Sequence, residues 1–176
     1  LNKNTLLLKS GIYTIKQNII FPFDTNLIIE KGTIIKMKEK TNLLVYGNMT
    51  FKGTEYEPIK IINNDKNKVF GTISAIGDGT TKCEINYLEI YGGNEAFVNG
   101  VHLSGALSLY NHNNVKINNS YIHHNSSDDG LNIKNANILL QNNVFNANMA
   151  DQVDLDFCTG TVKDNKFIEK SIIKDF

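Results

Sequence analysis

Arginine is absent from the 176 residues, so lysine supplies all eighteen cations against eighteen acids and the formal net charge is zero. Without a guanidinium fork, the bidentate carboxylate and phosphate clamps built on that group are excluded. The charge balance removes the field that draws proteins to nucleic acid or to an anionic membrane, so no nucleic-acid partner is expected. No apolar run approaches the ~20 residues that a helical span needs, and no membrane insertion is expected. No stretch of ten residues carries a helical stripe either. The only two prolines, Pro22 and Pro58, fall at the boundaries of strand-like runs, where a missing N–H does a ladder no harm. The two cysteines, Cys83 and Cys158, occupy different columns of the repeat described next, and free, small thiols are expected rather than a disulfide. The sequence opens on Leu1 with neither an initiator Met nor a basic-then-apolar leader. It is therefore expected to be a mature form, a trimmed form or a fragment.

What is present is a period. Ala106-Leu107-Ser108-Leu109, Gly130-Leu131-Asn132-Ile133 and Gln152-Val153-Asp154-Leu155 match at steps of 24 and 22 residues. A second set, beginning at Ile117, Leu140 and Val162, keeps steps of 23 and 22. Self-similarity at a fixed period of this size predicts coils stacked on one another. Strand alternation then sends Leu107, Leu109, Leu131, Ile133, Val153 and Leu155 inward and Ser108, Asn132 and Asp154 outward. Asn119, Asn142 and Asp164 share a bend, where stacked side-chain amides and carboxylates are expected to satisfy the turning backbone.

The earlier chain reads as short β-branched and aromatic runs punctuated by Gly, Asn, Asp and Lys. The whole chain is expected to be a single all-β domain over residues 1–176, with an N-terminal cap at about 1–10 and a C-terminal cap at about 168–176 closing the open sheet edges. Residues 91–105, with Gly92-Gly93 and Asn99-Gly100, are longer than a corner needs and predict an inserted loop projecting from the solenoid.

Leu27-Ile28-Ile29-Glu30-Lys31-Gly32-Thr33-Ile34-Ile35, Leu43 to Gly47, Gly53-Thr54 and Pro58-Ile59 resemble the opening coils of bacterial β-helix proteins of the pectin-lyase-like superfamily. Asp129-Gly130-Leu131-Asn132-Ile133 and Asn142-Asn143-Val144-Phe145 resemble its later rungs. The resemblance runs from about Gly11 to Phe167. It implies a single-stranded right-handed parallel β-helix of about seven coils of roughly 22–24 residues. It implies far less about function, because that superfamily holds lyases, hydrolases, epimerases, phage spikes and non-catalytic surface proteins.

The chemistry concentrates in carboxylates. Asp129 and Asp151 are equivalents one coil apart, ~4.8 Å in backbone spacing, and Asp154 and Asp156 are alternate residues of one strand. Asp128 adds a fifth acid, Asn132 stacks over Asp154, and Lys134 stacks over Asp156. Three readings stay open. The five aspartates can ligate Ca²⁺, the one cofactor the pattern suggests. Two of Asp129, Asp151, Asp154 and Asp156 can serve as general acid and base, since glycosidase carboxyls stand about 5–9.5 Å apart, and Lys134 beside Ca²⁺ can be the base of a lyase. Or Asp129 and Asp151 satisfy turn amides while Asp156 pairs with Lys134. Asp128-Asp129-Gly130 faintly resembles the paired-Asp element of polygalacturonase-like hydrolases. That family's Gly-His-Gly and Arg-x-Lys elements have no counterpart, and enzymatic activity is left undecided. His123 and His124, in the loop running to Asp128, are expected to approach the acids, while His102 and His112 are assigned to the surface. Tyr110 shares the outward column of Lys134 and Asp156 and offers a ring for sugar stacking, with Tyr91 and Phe97 near the insertion. The expected function is an extracellular or cell-surface module contacting polysaccharide through this acidic face. The alternatives are a structural or adhesive protein that polymerises through its ends, and a polysaccharide hydrolase or lyase.

Overall fold

The computed structural model describes residues 4–169, all of it strand, turn and loop with no helix among the described residues. The opening strands are β1 (Thr5–Leu8), β2 (Ile12–Ile15), β3 (Ile19–Glu30), β4 (Ile34–Met37), β5 (Leu43–Lys52) and β6 (Ile59–Asn63). A circuit of β7 (Ile73–Ile76), β8 (Lys82–Asn86) and β9 (Leu88–Tyr91) follows, then a hairpin of β10 (Ala96–Val98) and β11 (Val101–Leu103). Three further circuits are β12 (Gly105–Tyr110), β13 (Asn114–Asn118) and β14 (Tyr121–His123), then β15 (Asp129–Lys134), β16 (Asn137–Gln141) and β17 (Val144–Asn146), then β18 (Asp151–Asp156), β19 (Thr159–Lys163) and β20 (Lys166–Ile168).

Apart from the hairpin, every pairing is parallel, and the winding is solenoid-like. One face runs β18-β15-β12-β7-β5, a second runs β5-β8-β13-β16-β19, and a third runs β2-β4-β6-β9-β14-β17-β20. The long strand β5 joins the first two faces by bending at Gly47, where a Cβ would collide with the Thr25 carbonyl. The expected register holds: Leu107, Leu131 and Val153 stand in one column, and Ile117, Leu140 and Val162 in another. Inward Ile, Leu, Val, Met and Phe side chains from all three faces form one continuous core.

Corners explain the abundance of Asn. Asn111, Asn135 and Phe157 share one corner, and Tyr87, Asn119, Asn142 and Asp164 share another, all at φ between 48° and 59°. This left-handed region is one that Asn tolerates better than most residues. The amide ladder, though, sits one residue beyond the expected Asn119, Asn142 and Asp164. Asn143 Nδ2 donates to Asn165 Oδ1 at 3.0 Å and to the Ile117 carbonyl at 2.8 Å, and the Ser120 N–H donates to Asn143 Oδ1 at 2.9 Å. The left-handed residue turns the chain, so its successor, not itself, points into the stack.

Pro22 falls where the paired run Ile19–Phe21 ends, at the register irregularity before Thr25, so its missing N–H costs the ladder nothing, as expected. Two further expectations are corrected. His112 is buried: its Nδ1 lies 2.8 Å from Thr81 Oγ1 and its Nε2 3.2 Å from the Ala75 carbonyl. At the N-terminal end, Thr5–Leu8 add a parallel strand to β3. The insertion at 91–105 does not project. Its hairpin turns at Asn99-Gly100, both at positive φ as a tight two-residue hairpin requires, and lies on the first face. There Val98 and Leu103 pack on the outward side chains of Leu44 and Tyr110. Of the expected C-terminal cap, residues 170–176 lie outside the described residues. Both cysteines are free, as expected.

Candidate functional site

The register delivers the acidic strip. In the β15 and β18 pair, Asp129 faces Asp151, Asn132 faces Asp154, and Lys134 faces Asp156, with Tyr110 stacked beyond Lys134 on β12. Inward Leu131 and Ile133, packed over Val153 and Leu155, fix which way the alternate residues point.

Each member has a different environment. Asp129 is only 2 % exposed. Burial is the main force raising its pKa, a hydrogen bond from the Ser104 side chain opposes it, and the negative charges of Asp154, Asp128 and Asp151 add to the rise. The Asp129 N–H donates to the Ser104 carbonyl at 3.2 Å, and the Ser127 hydroxyl donates to the Asp129 carbonyl at 2.5 Å. Asp151 is exposed, and its N–H donates to the Asp128 carbonyl at 2.8 Å. Asn132 is fully buried; its Nδ2 donates to Asp154 Oδ2 at 2.9 Å, and its Oδ1 has no partner. Lys134 Nζ lies 2.8 Å from Asp156 Oδ2 and 5.5 Å from the centroid of the Tyr110 ring. The hydrogen bond that Lys134 donates to Asp156 is the chief cause of the raised Lys134 pKa, against a smaller opposing effect of burial.

Several expected members do not join the strip as openly as alternation suggests. Tyr110 is 8 % exposed, its ring covered by the hairpin and its hydroxyl donating to the His102 carbonyl at 3.3 Å, so it is packing rather than a sugar platform. His123 and His124 stand on the third face. His123 stacks on Tyr121 at 3.8 Å between centroids and lies 5.3 Å from Tyr91, with Nε2 3.5 Å from Glu89 Oε1 and Nδ1 2.9 Å from His124 Nδ1. None of their hydrogen bonds or ion pairs reaches an aspartate. Burial, then the neighbouring His124, lowers the His123 pKa. Among the described residues, no group of three or more His, Cys, Asp or Glu converges as a metal site would require.

The strip can therefore accept hydrogen bonds at Asp151 and Asp154 beside an ion pair at its margin. Ser104, which holds Asp129, escaped the sequence reading. A signal existed, since Ser104-Gly105 stands 24 residues before Asp128-Asp129. Cys83 and His112 also approach, Sγ to Nε2 at 3.4 Å, in the manner of a nucleophile and its base. Burial drives the Cys83 thiol far up, however, and the pair is sealed in the core. Comparison with known protein families, curated proteins and solved structures finds no match.

Proposed function

We propose that this chain is a single right-handed parallel β-helix of about seven coils, of the pectin-lyase-like kind, working outside the cell or at its surface. Its acidic face holds a neutral or amine-bearing polysaccharide. One observation carries the reading: the β15 and β18 register gathers Asp151, Asp154, Asp156 and Lys134 on one sheet face, with buried Asn132 holding the Asp154 carboxylate from behind. Carboxylate acceptors on a preorganised strand favour hydroxyl and ammonium donors and repel polyuronate. Binding is favoured over cleavage because Asp129, the carboxyl shifted toward its protonated form, is covered. A general acid must reach the bond it protonates.

A glycan array read with the wild type and with an Asp151→Asn/Asp154→Asn double variant tests this. Each charged hydrogen bond contributes about 1.5–3 kcal/mol, so the double variant is expected to lose at least about tenfold in affinity. Undiminished binding sinks the reading. An added EDTA arm separates direct contact from contact bridged by Ca²⁺.

Polymerisation through the ends is a second reading, favoured by one observation. Val162 and Phe167 sit in columns that are buried elsewhere yet are 46 % and 52 % exposed. Light scattering that shows one monomeric mass across concentration would remove it.

A further inference from the structure

At the corner between the first and second faces, two adjoining cavities of about 410 and 380 Å³ share Asn26 and Asn48. Both volumes fall in the range of small-ligand sites, about 300–1,000 Å³. The first cavity is walled by Asp24, Asn26, Asn48, Asp78 and Thr80, and the second continues over Ile28 and Lys82. We propose that this groove is a binding site for a neutral glycan, separate from the acidic strip.

The wall chemistry is fixed in advance. Asn48 Nδ2 donates to Asn26 Oδ1 at 2.5 Å, and the Lys82 N–H donates to Asn48 Oδ1 at 2.7 Å. Each amide carbonyl thus accepts one bond from protein, which orients the amide nitrogens and leaves N–H donors of Asn26 and Asn48 for a ligand. Across the groove, Asp78 takes the Thr80 N–H at 2.8 Å, the Thr80 hydroxyl at 2.8 Å and the Thr81 N–H at 3.2 Å, all on Oδ1. Its Oδ2 is an acceptor with no donor among the described residues. Asp24 is lifted to the rim by the irregularity in β3, with a left-handed φ of 63° and the Thr25 hydroxyl closing the turn on the Pro22 carbonyl at 2.7 Å.

Donors facing acceptors decide the ligand class. A bare cation meets amide N–H groups, which oppose it, and an anion meets the carboxylates of Asp24, Asp78 and Glu84. A hydroxyl both donates and accepts, so adjacent hydroxyls of a sugar satisfy the amide wall and the carboxylate wall together. Half-buried Ile28, farther along, offers apolar surface to the C–H face of a following ring.

The test is a titration of the ¹⁵N-labelled full chain with cellohexaose, mannohexaose, xylohexaose, hexagalacturonate and CaCl₂. The expected result is that at least one neutral hexasaccharide moves the backbone amides of Asn26, Asn48, Thr80 and Thr81. Asp78→Asn, on an exposed loop where Oδ1 and its hydrogen bonds persist, should weaken that binding at least tenfold, as should Asn26→Ala. Asp154→Asn, which disables only the acidic strip, should leave it unchanged. The proposal is overturned if no neutral probe moves those amides, if hexagalacturonate or Ca²⁺ moves them instead, or if Asp78→Asn binds as the wild type does.

Discussion

Asp129 shows how much one side chain's surroundings matter when its neighbours in the stack are also acids. Its folded pKa lies above the ordinary 3.8, chiefly through burial. The native state therefore binds its proton more tightly than the unfolded chain, and stability falls as pH rises from 3.8 through the folded value. At pH 7 the ionised carboxyl is a burden. Asp129→Asn, which keeps an acceptor for Ser104, should raise Tm at pH 7 by about 2–4 °C, the shift that about 1 kcal/mol makes in a chain of this size. The gain should shrink on acidification through the folded value and be gone by about pH 3.8. His112 and His123 act in the opposite sense, because burial lowers both folded pKa values beneath 6.5. Above pH 6.5 each is neutral folded or unfolded; below it the unfolded chain takes up protons that the fold resists, so stability drops. Urea midpoints should be level from pH 8 to 7 and fall as the pH drops below 6.5. A His112→Gln/His123→Gln variant should flatten that slope, and an unchanged slope would place its origin elsewhere.

At the scale of the element, the hairpin of β10 and β11 decides what the first face presents. It covers outward Leu44 and Tyr110 with Val98 and Leu103, while Phe97 on its other side is 77 % exposed. Leu103→Ala should cost about 2–5 kcal/mol and speed hydrogen exchange at Leu44 and Tyr110. Phe97→Ala should stay within about 0.5 kcal/mol. Equal effects would mean that the hairpin does not seal the face in solution. This element also marks where sequence reasoning ran out. The pairing of Asp129 with Asp151 and of Lys134 with Asp156 was legible, because a repeat of 22 to 24 residues and a two-residue alternation specify it. The burial of Tyr110 was not, because it depends on residues 96–103 folding back across a face they do not neighbour in sequence. The amide ladder was legible in kind and misplaced by one residue, since alternation cannot count through a left-handed corner. Asn143→Ala, which strips partners from Ser120 N–H and the Ile117 carbonyl, should cost about 1–3 kcal/mol, whereas Asn142, which makes the turn, should tolerate Gly.

Across the whole molecule, each strand's stability comes from the strands above and below it, so the cost of a truncation should depend on height in the stack. Phe145 and Phe167 offer a matched comparison on the third face. Their rings lie 5.3 Å apart and 12° from parallel, Phe145 between Ile122 and Phe167. Phe145 is fully buried and Phe167 is 52 % exposed. Removing Phe145 opens a cavity lined on both sides and should cost about 3–5 kcal/mol; Phe167→Ala removes a ring with one packed face and should cost less than half as much. Hydrogen exchange adds a spatial readout. Phe167→Ala should release protection at β18 to β20 only, while Phe145→Ala should release it through β14 and β17 as well. If the two truncations cost the same at low protein concentration, Phe167 is covered on both faces in solution and the end is closed by the chain itself. If they converge only as concentration rises, the cover is a second copy, and assembly through the ends gains the energetic support that exposure alone does not give it.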